Sequence, residues 1–146
     1  MGLENILNSS LLIFPILECV HILGFAFSVG TVALVDFRLI GVGITDHTPA
    51  ELWRNTSHWT IGGLVAVIFS GILLYSSDPD LYYTNYAFLL KMVFLIAAIV
   101  YNYTAVRRTV KLGEVSSGRV VGAIALALWA CVALGGIFIG VLAPAE

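Results

Sequence analysis

Leu11–Val35 reads LLIFPILECVHILGFAFSVGTVALV, 25 residues in which the only acid or base side chains are Glu18 and His21. A helix needs roughly 20 apolar residues to cross the hydrocarbon of a bilayer. This block meets that length, and three more follow it: Thr56–Ser76, Tyr86–Val106 and Val120–Ala143. His58 opens the second block and Lys91 lies in the third, while the fourth has no ionisable group except Cys131. Backbone groups facing lipid have no water to bond, so each block is expected to be a helix. The expected fold is an all-α, four-helix transmembrane bundle in one domain covering residues 1–146.

Composition agrees. Of the 146 residues 60% are hydrophobic and 11% charged, and the mean hydropathy is +0.99. Seven Lys and Arg against nine Asp and Glu leave no basic surplus to neutralise a phosphate backbone, so nucleic acid is excluded as a main partner. Met1–Ser10 has no Lys or Arg, and the apolar run after it exceeds the core of a signal peptide; the first block is expected to remain as a span.

Lys and Arg accumulate in cytoplasmic loops. Arg38 and Arg54 lie between blocks one and two, and Arg107, Arg108, Lys111 and Arg119 between blocks three and four. The opposite side offers Glu4, Asp78, Asp80 and Glu146. Both termini are therefore expected outside, in the periplasm of a bacterial inner membrane. The clusters Ser76-Ser77-Asp78-Pro79-Asp80 and Ser116-Ser117-Gly118 read as breakers. Thr48-Pro49-Ala50-Glu51 has the form of the cap and first turn of a short interfacial helix running into the second span. Trp53, Trp59, Tyr82, Tyr83, Tyr86, Tyr101 and Tyr103 fall near span ends, as in an aromatic belt.

An ionisable side chain at membrane depth calls for a partner, a cofactor or water. Counting about 1.5 Å per residue, Glu18 and His21 lie roughly 10 to 15 Å below the outer end of the first span and Lys91 roughly 8 Å below that of the third, so the three share a level. Glu18 and His21, three apart, project from one stripe of helix. Gly24, one turn on, leaves room either for a neighbouring helix or for a flat ligand. Haem b fits: iron accepts neutral imidazole from His21 on one face, and Lys91 ligates or neutralises the other. Glu18 orients His21 or pairs with Lys91. His58, Arg38, Tyr101 and Asn102 fall near the inner interface, where Arg38 and His58 form a candidate second polar site for a haem propionate, a quinone or a proton path. Asp36 and Arg38 read as a solvated interfacial ion pair, and His47 as solvated.

Other readings stay open. His21 can bond a neighbouring helix, Lys91 can snorkel to the interface, and Glu18 can pair with it for structure alone. Cys19 and Cys131 lack the Cys-x-x-Cys-His pattern of covalent haem attachment and read as buried free thiols, a disulfide between them being the alternative. Gly136-x-x-x-Gly140, beside Gly135, permits close packing within the bundle or between copies.

Val20-His21-Ile22-Leu23-Gly24, Asp36-Phe37-Arg38-Leu39 and Phe88-Leu89-Leu90-Lys91-Met92 resemble an uncharacterised family of small four-helix bacterial membrane proteins. More distantly, the order of His, Arg and Leu-x-Lys is similar to the bacterial membrane protoporphyrinogen oxidase family, with a looser likeness to copper-resistance D-type membrane domains. In the oxidase family the first-helix histidine and third-helix lysine are associated with haem b, so the resemblance implies His21 and Lys91 as haem-site residues. That family has a histidine a few residues after the arginine; here Arg38 is followed by Leu39-Ile40-Gly41-Val42-Gly43.

The expectation is thus a haem b-binding redox protein, for electron transfer or as a small oxidoreductase, alone or in a larger complex. Its partners are the bilayer and, in a complex, other membrane subunits, further copies or a quinone. Two other classes compete: a non-catalytic membrane anchor or assembly subunit, and a small transporter or proton-relay protein with Glu18, His21 and Lys91 lining a wet cavity.

Overall fold

The computed structural model describes residues 12–113 and 115–141, without the side chains of residues 115 and 116. Leu11, where the first block was expected to open, Ala143, where the fourth was expected to close, and the expected outward-facing Glu4 and Glu146 lie outside the described residues. So does Met1–Ser10.

Helix α1 spans Ile13–Ile40, α2 Pro49–Ser77, α3 Pro79–Tyr83 and α4 Tyr86–Tyr101. A π-helical segment, Asn102–Val106, continues α4 into α5, Arg107–Leu112, and α6 spans Val115–Val141. Among the described residues every regular element is a helix. Four helices are long and apolar enough to cross a membrane: α1, α2, the continuous run Tyr86–Leu112, and Ser117–Val141 of α6. Four such helices among the described residues are the mark of a multi-pass membrane protein. At 28 residues α1 is about 42 Å long, more than the hydrocarbon needs, so its ends reach headgroup depth.

The caps explain the boundaries. Gly41 adopts φ 95 and ends α1; its N–H donates to the carbonyl oxygens of Phe37 and Arg38, and the Val42 N–H donates to Phe37 at 2.9 Å. A side chain there would strain a left-handed turn that glycine adopts freely. Consequently α1 runs five residues beyond Val35. Thr48 and Glu51 form a reciprocal capping box with Pro49 in the first turn, and α2 then continues unbroken to Ser77. The cap expected for a short interfacial helix thus starts the span itself. Asp78 caps α3 by accepting from the Leu81 N–H, and the Asn85 side chain caps α4 by accepting from the Ala87 N–H. Ser117-Gly118, expected in a breaker, lie inside α6; the turn before them is made at Gly113, φ 65.

Two ends can be named by content. The basic end holds the 41–48 loop and the turn at Gly113, with Arg38, Arg54, Arg107, Arg108, Lys111 and Arg119. The opposite, terminal end holds the first described residues, α3 and the end of α6. Helix α1 lies between α2 and α6, and α4 packs on α6. The α1–α2 seam is tight because glycines line it: a Cβ on Gly63 would sit 2.7 Å from both the Gly24 carbonyl oxygen and the Ser28 nitrogen. Between α2 and α4 close backbone approaches are sparse. Long side chains bridge that side, Tyr75 stacking on Phe88 near the terminal end and Trp53 meeting Tyr103 edge-on near the basic end.

Two apolar clusters fill the interior. One gathers Val32, Leu64, Leu95, Ala98, Trp129 and Val132. The other, nearer the basic end, gathers Val35, Leu52, Val106, Val110 and Ala125.

Candidate functional site

His21 projects from α1 onto α2. Its Nδ1 lies 2.9 Å from the Ser70 hydroxyl, and its Cε1 would lie 3.1 Å from a Cβ on Gly71. Ser70 donates its one hydroxyl proton to the Ala66 carbonyl at 2.6 Å, so the same oxygen accepts from the Nδ1–H. The Val67 carbonyl is a further acceptor for the imidazole. With Nδ1 carrying the proton, Nε2 keeps its lone pair. A histidine that donates one ring N–H to a neighbouring oxygen and leaves the other nitrogen free has the arrangement of a metal-binding imidazole. It also has the arrangement of a histidine that simply fastens two helices.

Lys91 projects from α4 across α6. A Cβ on Gly135 would meet the Lys91 Cβ at 2.9 Å, and one on Gly136 would meet its Nζ at 3.4 Å. The glycine pair is thus a notch that seats the lysine stem. The Gly135-Gly136 surface accordingly packs within the bundle, while Gly140 meets nothing within 4 Å. The Lys91 ammonium lies within electrostatic reach of His21.

Glu18 sits apart from that pairing. Its side chain is exposed, and it acts on Tyr82 of α3. Burial, then the Glu18 and Asp78 carboxylates, push the Tyr82 phenol above its ordinary range. Gly24 is buried against α2: a Cβ there would meet Ala66, the Gly63 carbonyl and Val67 at 3.0 to 3.2 Å. Of the two uses left open for its missing side chain, room for a helix or for a flat ligand, the neighbouring helix occupies the space.

The basic end differs from expectation more. Asp36 and Arg38 form no solvated pair. Because α1 extends to Ile40, Asp36 lies within the helix and is 0% exposed, whereas Arg38 turns away and donates from Nε to the His47 carbonyl at 2.6 Å. That bond holds the 41–48 loop against α1. His58 is exposed, its ring 5.3 Å from that of Trp59 on the same helix, so Arg38 and His58 serve different local partners. Cys19 and Cys131 are both free, Cys19 exposed rather than buried.

Sequence reasoning missed three buried groups: the Asp36 carboxylate, the Asn102 amide oxygen and the Trp129 indole nitrogen, none of which has a hydrogen-bond partner. The signal for Asp36 was present in Gly41-Val42-Gly43, a helix stop six residues past Val35. Ser70 carried no signal, because a serine in a transmembrane helix usually bonds its own backbone.

Two cavities lie toward the basic end. One of about 430 Å³ is lined by Tyr103, Thr104, Arg107, Arg108, Lys111 and Leu112. The other, about 10 Å³, lies among Thr31, Thr56, Ser57, Thr60 and Asn102. Neither adjoins His21 or Lys91. The donors that could meet a haem iron are the imidazole of His21 and the amine of Lys91.

Residues 12–142 match the family described as "Family of unknown function (DUF6644)", and the chain belongs to it. No curated protein and no solved structure matches the chain.

Proposed function

We propose that this chain is a haem b-binding redox protein of the bacterial inner membrane, its basic end in the cytoplasm, acting alone or as a subunit of a larger complex. The observation that supports it is the imidazole of His21, whose Nδ1 is engaged by Ser70 and on which Lys91 acts electrostatically. Orientation follows from the Lys and Arg concentrated at one end. The distant likeness to the membrane protoporphyrinogen oxidases supports the same two residues.

Haem, when bound, supplies one-electron chemistry at its iron. The chain's own contribution is positioning. Ser70 fixes the tautomer and plane of His21. The Gly135-Gly136 notch holds the Lys91 stem, leaving its nitrogen to ligate or to balance charge.

A second reading has a specific observation behind it. The His21–Ser70 bond by itself fastens α1 to α2, which is all that a non-catalytic membrane subunit requires. Absorbance of the detergent-purified protein from haem-replete cells separates the two. The redox reading expects a Soret band, a reduced-minus-oxidised difference, and loss of both in His21→Ala. A colourless protein overturns it in favour of the structural subunit. A band whose position is unchanged in Lys91→Met removes lysine ligation and keeps the pocket.

A further inference from the structure

Asp36 is 0% exposed, and neither of its carboxylate oxygens has a hydrogen-bond partner. It follows Val35 and lies one turn past Val32, at the junction of the two apolar clusters. Helix α6 closes over it: a Cβ on Gly122 would sit 2.7 Å from the Asp36 carbonyl oxygen. The other two orphaned groups occupy the same junction. Asn102 lies one turn from Ala98 and one turn from Val106, and Trp129 lies one turn past Ala125.

Among the described residues no cation pairs with Asp36. The titratable neighbour it acts on is Tyr101, on the α4 side; no charged group of α2, α5 or α6 acts on it, and Arg38 is committed to the His47 carbonyl. A carboxylate ion without water or a cation does not persist in a low-dielectric interior, whereas the neutral acid does. The neutral acid also gains an O–H donor, in a layer that contains the acceptor oxygen of Asn102.

Asn102 connects this layer to the basic end. It begins the π-helical segment, a local change of register that recurs at functional positions. It also lines the cavity of about 10 Å³, which Thr31, Thr56, Ser57 and Thr60 share and which suffices for about one water. Ser57 and Thr56, half-buried and within three turns of the start of α2, carry that polar lining toward the aqueous side.

We propose that Asp36 is a proton-binding site inside the membrane, loaded and emptied from the basic end past Asn102 and the hydroxyl-lined cavity beside it. Hydronium at that end gives a proton to one carboxylate oxygen of Asp36 and leaves water; the reverse step returns the proton, and no electrons move. The proposal does not depend on haem at His21 and Lys91.

Infrared spectroscopy of the full chain in lipid nanodiscs tests it. The expected spectrum at neutral pH has the C=O stretch of a protonated carboxylic acid, which shifts when the sample is moved into D2O and is absent from Asp36→Asn. The other described carboxylates, Glu18, Asp46, Glu51, Asp78 and Asp80, are all exposed, which makes Asp36 their contrast. Asn102→Leu is expected to slow the D2O shift at least tenfold. Asp36→Glu is expected to move the band rather than abolish it, and keeps the test decisive where the asparagine variant does not fold. Absence of the band, a band unmoved in both variants, or a band that D2O leaves in place overturns the proposal.

Discussion

The two halves of the bundle treat their buried polar groups in opposite ways. Toward the terminal end, His21 has Ser70 and Lys91 has a glycine notch, each supplied by a different helix. Asp36 and Asn102 nearer the basic end, and Trp129 at the middle of α6, are buried with polar atoms unpartnered. A polar group that has been given a partner is satisfied by the polypeptide itself. One that has not, and that persists in the interior, points to something the polypeptide itself does not supply, a proton or a water. Both halves rest on the same α1–α2 seam, so the comparison can be broken at the seam or sharpened one bond at a time.

The largest effect is expected at Gly63. Leucine there would drive a side chain into the backbone of Gly24 and Ser28, 2.7 Å from the Cβ position, and neither backbone can yield without parting α1 from α2. The expected loss is about 3 kcal/mol or more, read as a fall in the unfolding midpoint in detergent. Gly62 is the control: a Cβ there meets nothing within 4 Å, so Gly62→Leu is expected to leave the midpoint unchanged. Equal effects at the two positions would mean that the seam is not what holds the halves together.

Gly135→Leu comes next. Its Cβ would meet the Lys91 Cβ at 2.9 Å and Cα at 3.2 Å, so α4 must shift against α6 while the α1–α2 seam is untouched. A loss of about 1 to 3 kcal/mol is expected. Any Soret band should shift or weaken as Lys91 moves relative to His21, and Gly140→Leu, with open space around it, should change neither.

These positions also show which parts of the molecule its sequence reveals. His21 and Lys91 stand out because an ionisable residue in an apolar run is conspicuous, and the level they share follows from counting residues from the span ends. What closes around them is not visible in that way. Gly24 is compatible with a helix or a ligand until Gly63 is seen against it, and Gly135 is compatible with packing inside the bundle or between copies until Lys91 is found there. Asp36 was misplaced for a different reason. Hydropathy ends a span where charges begin, after Val35, but a helix ends where its backbone can turn, here after Ile40. Five residues of difference move a carboxylate from the interface into the core. The π-helical segment at Asn102 leaves no trace in periodicity, because one residue of extra register is smaller than the pattern resolves.

Ser70→Ala removes the acceptor of the His21 Nδ1–H while leaving the Val67 carbonyl as a further acceptor for the ring. A loss of about 1 kcal/mol is expected, in the range of hydrogen bonds between transmembrane helices. If His21 binds iron, a freer imidazole should also broaden or displace the absorbance band at unchanged protein content. If the bond is only a fastening, stability alone falls. The substitution thus separates a positioning role for Ser70 from a structural one.

The smallest effect is expected at Thr31→Val, and it bears most directly on why the halves differ. Thr31 and Thr60 form the matching interhelical contact toward the basic end, with 2.8 Å between their hydroxyl oxygens. The geometry resembles that of His21 and Ser70, but the group left behind differs. After Ser70→Ala an imidazole N–H loses its best acceptor. After Thr31→Val, Thr60 still donates to the Thr56 carbonyl at 3.2 Å, and valine keeps the volume. The expected cost is below about 0.5 kcal/mol. A cost equal to that of Ser70→Ala would mean that Thr31 holds something more than its neighbour. The cavity it shares with Asn102 is where a bound water would then lie, because no other side of Thr31 offers a polar group that the substitution strands.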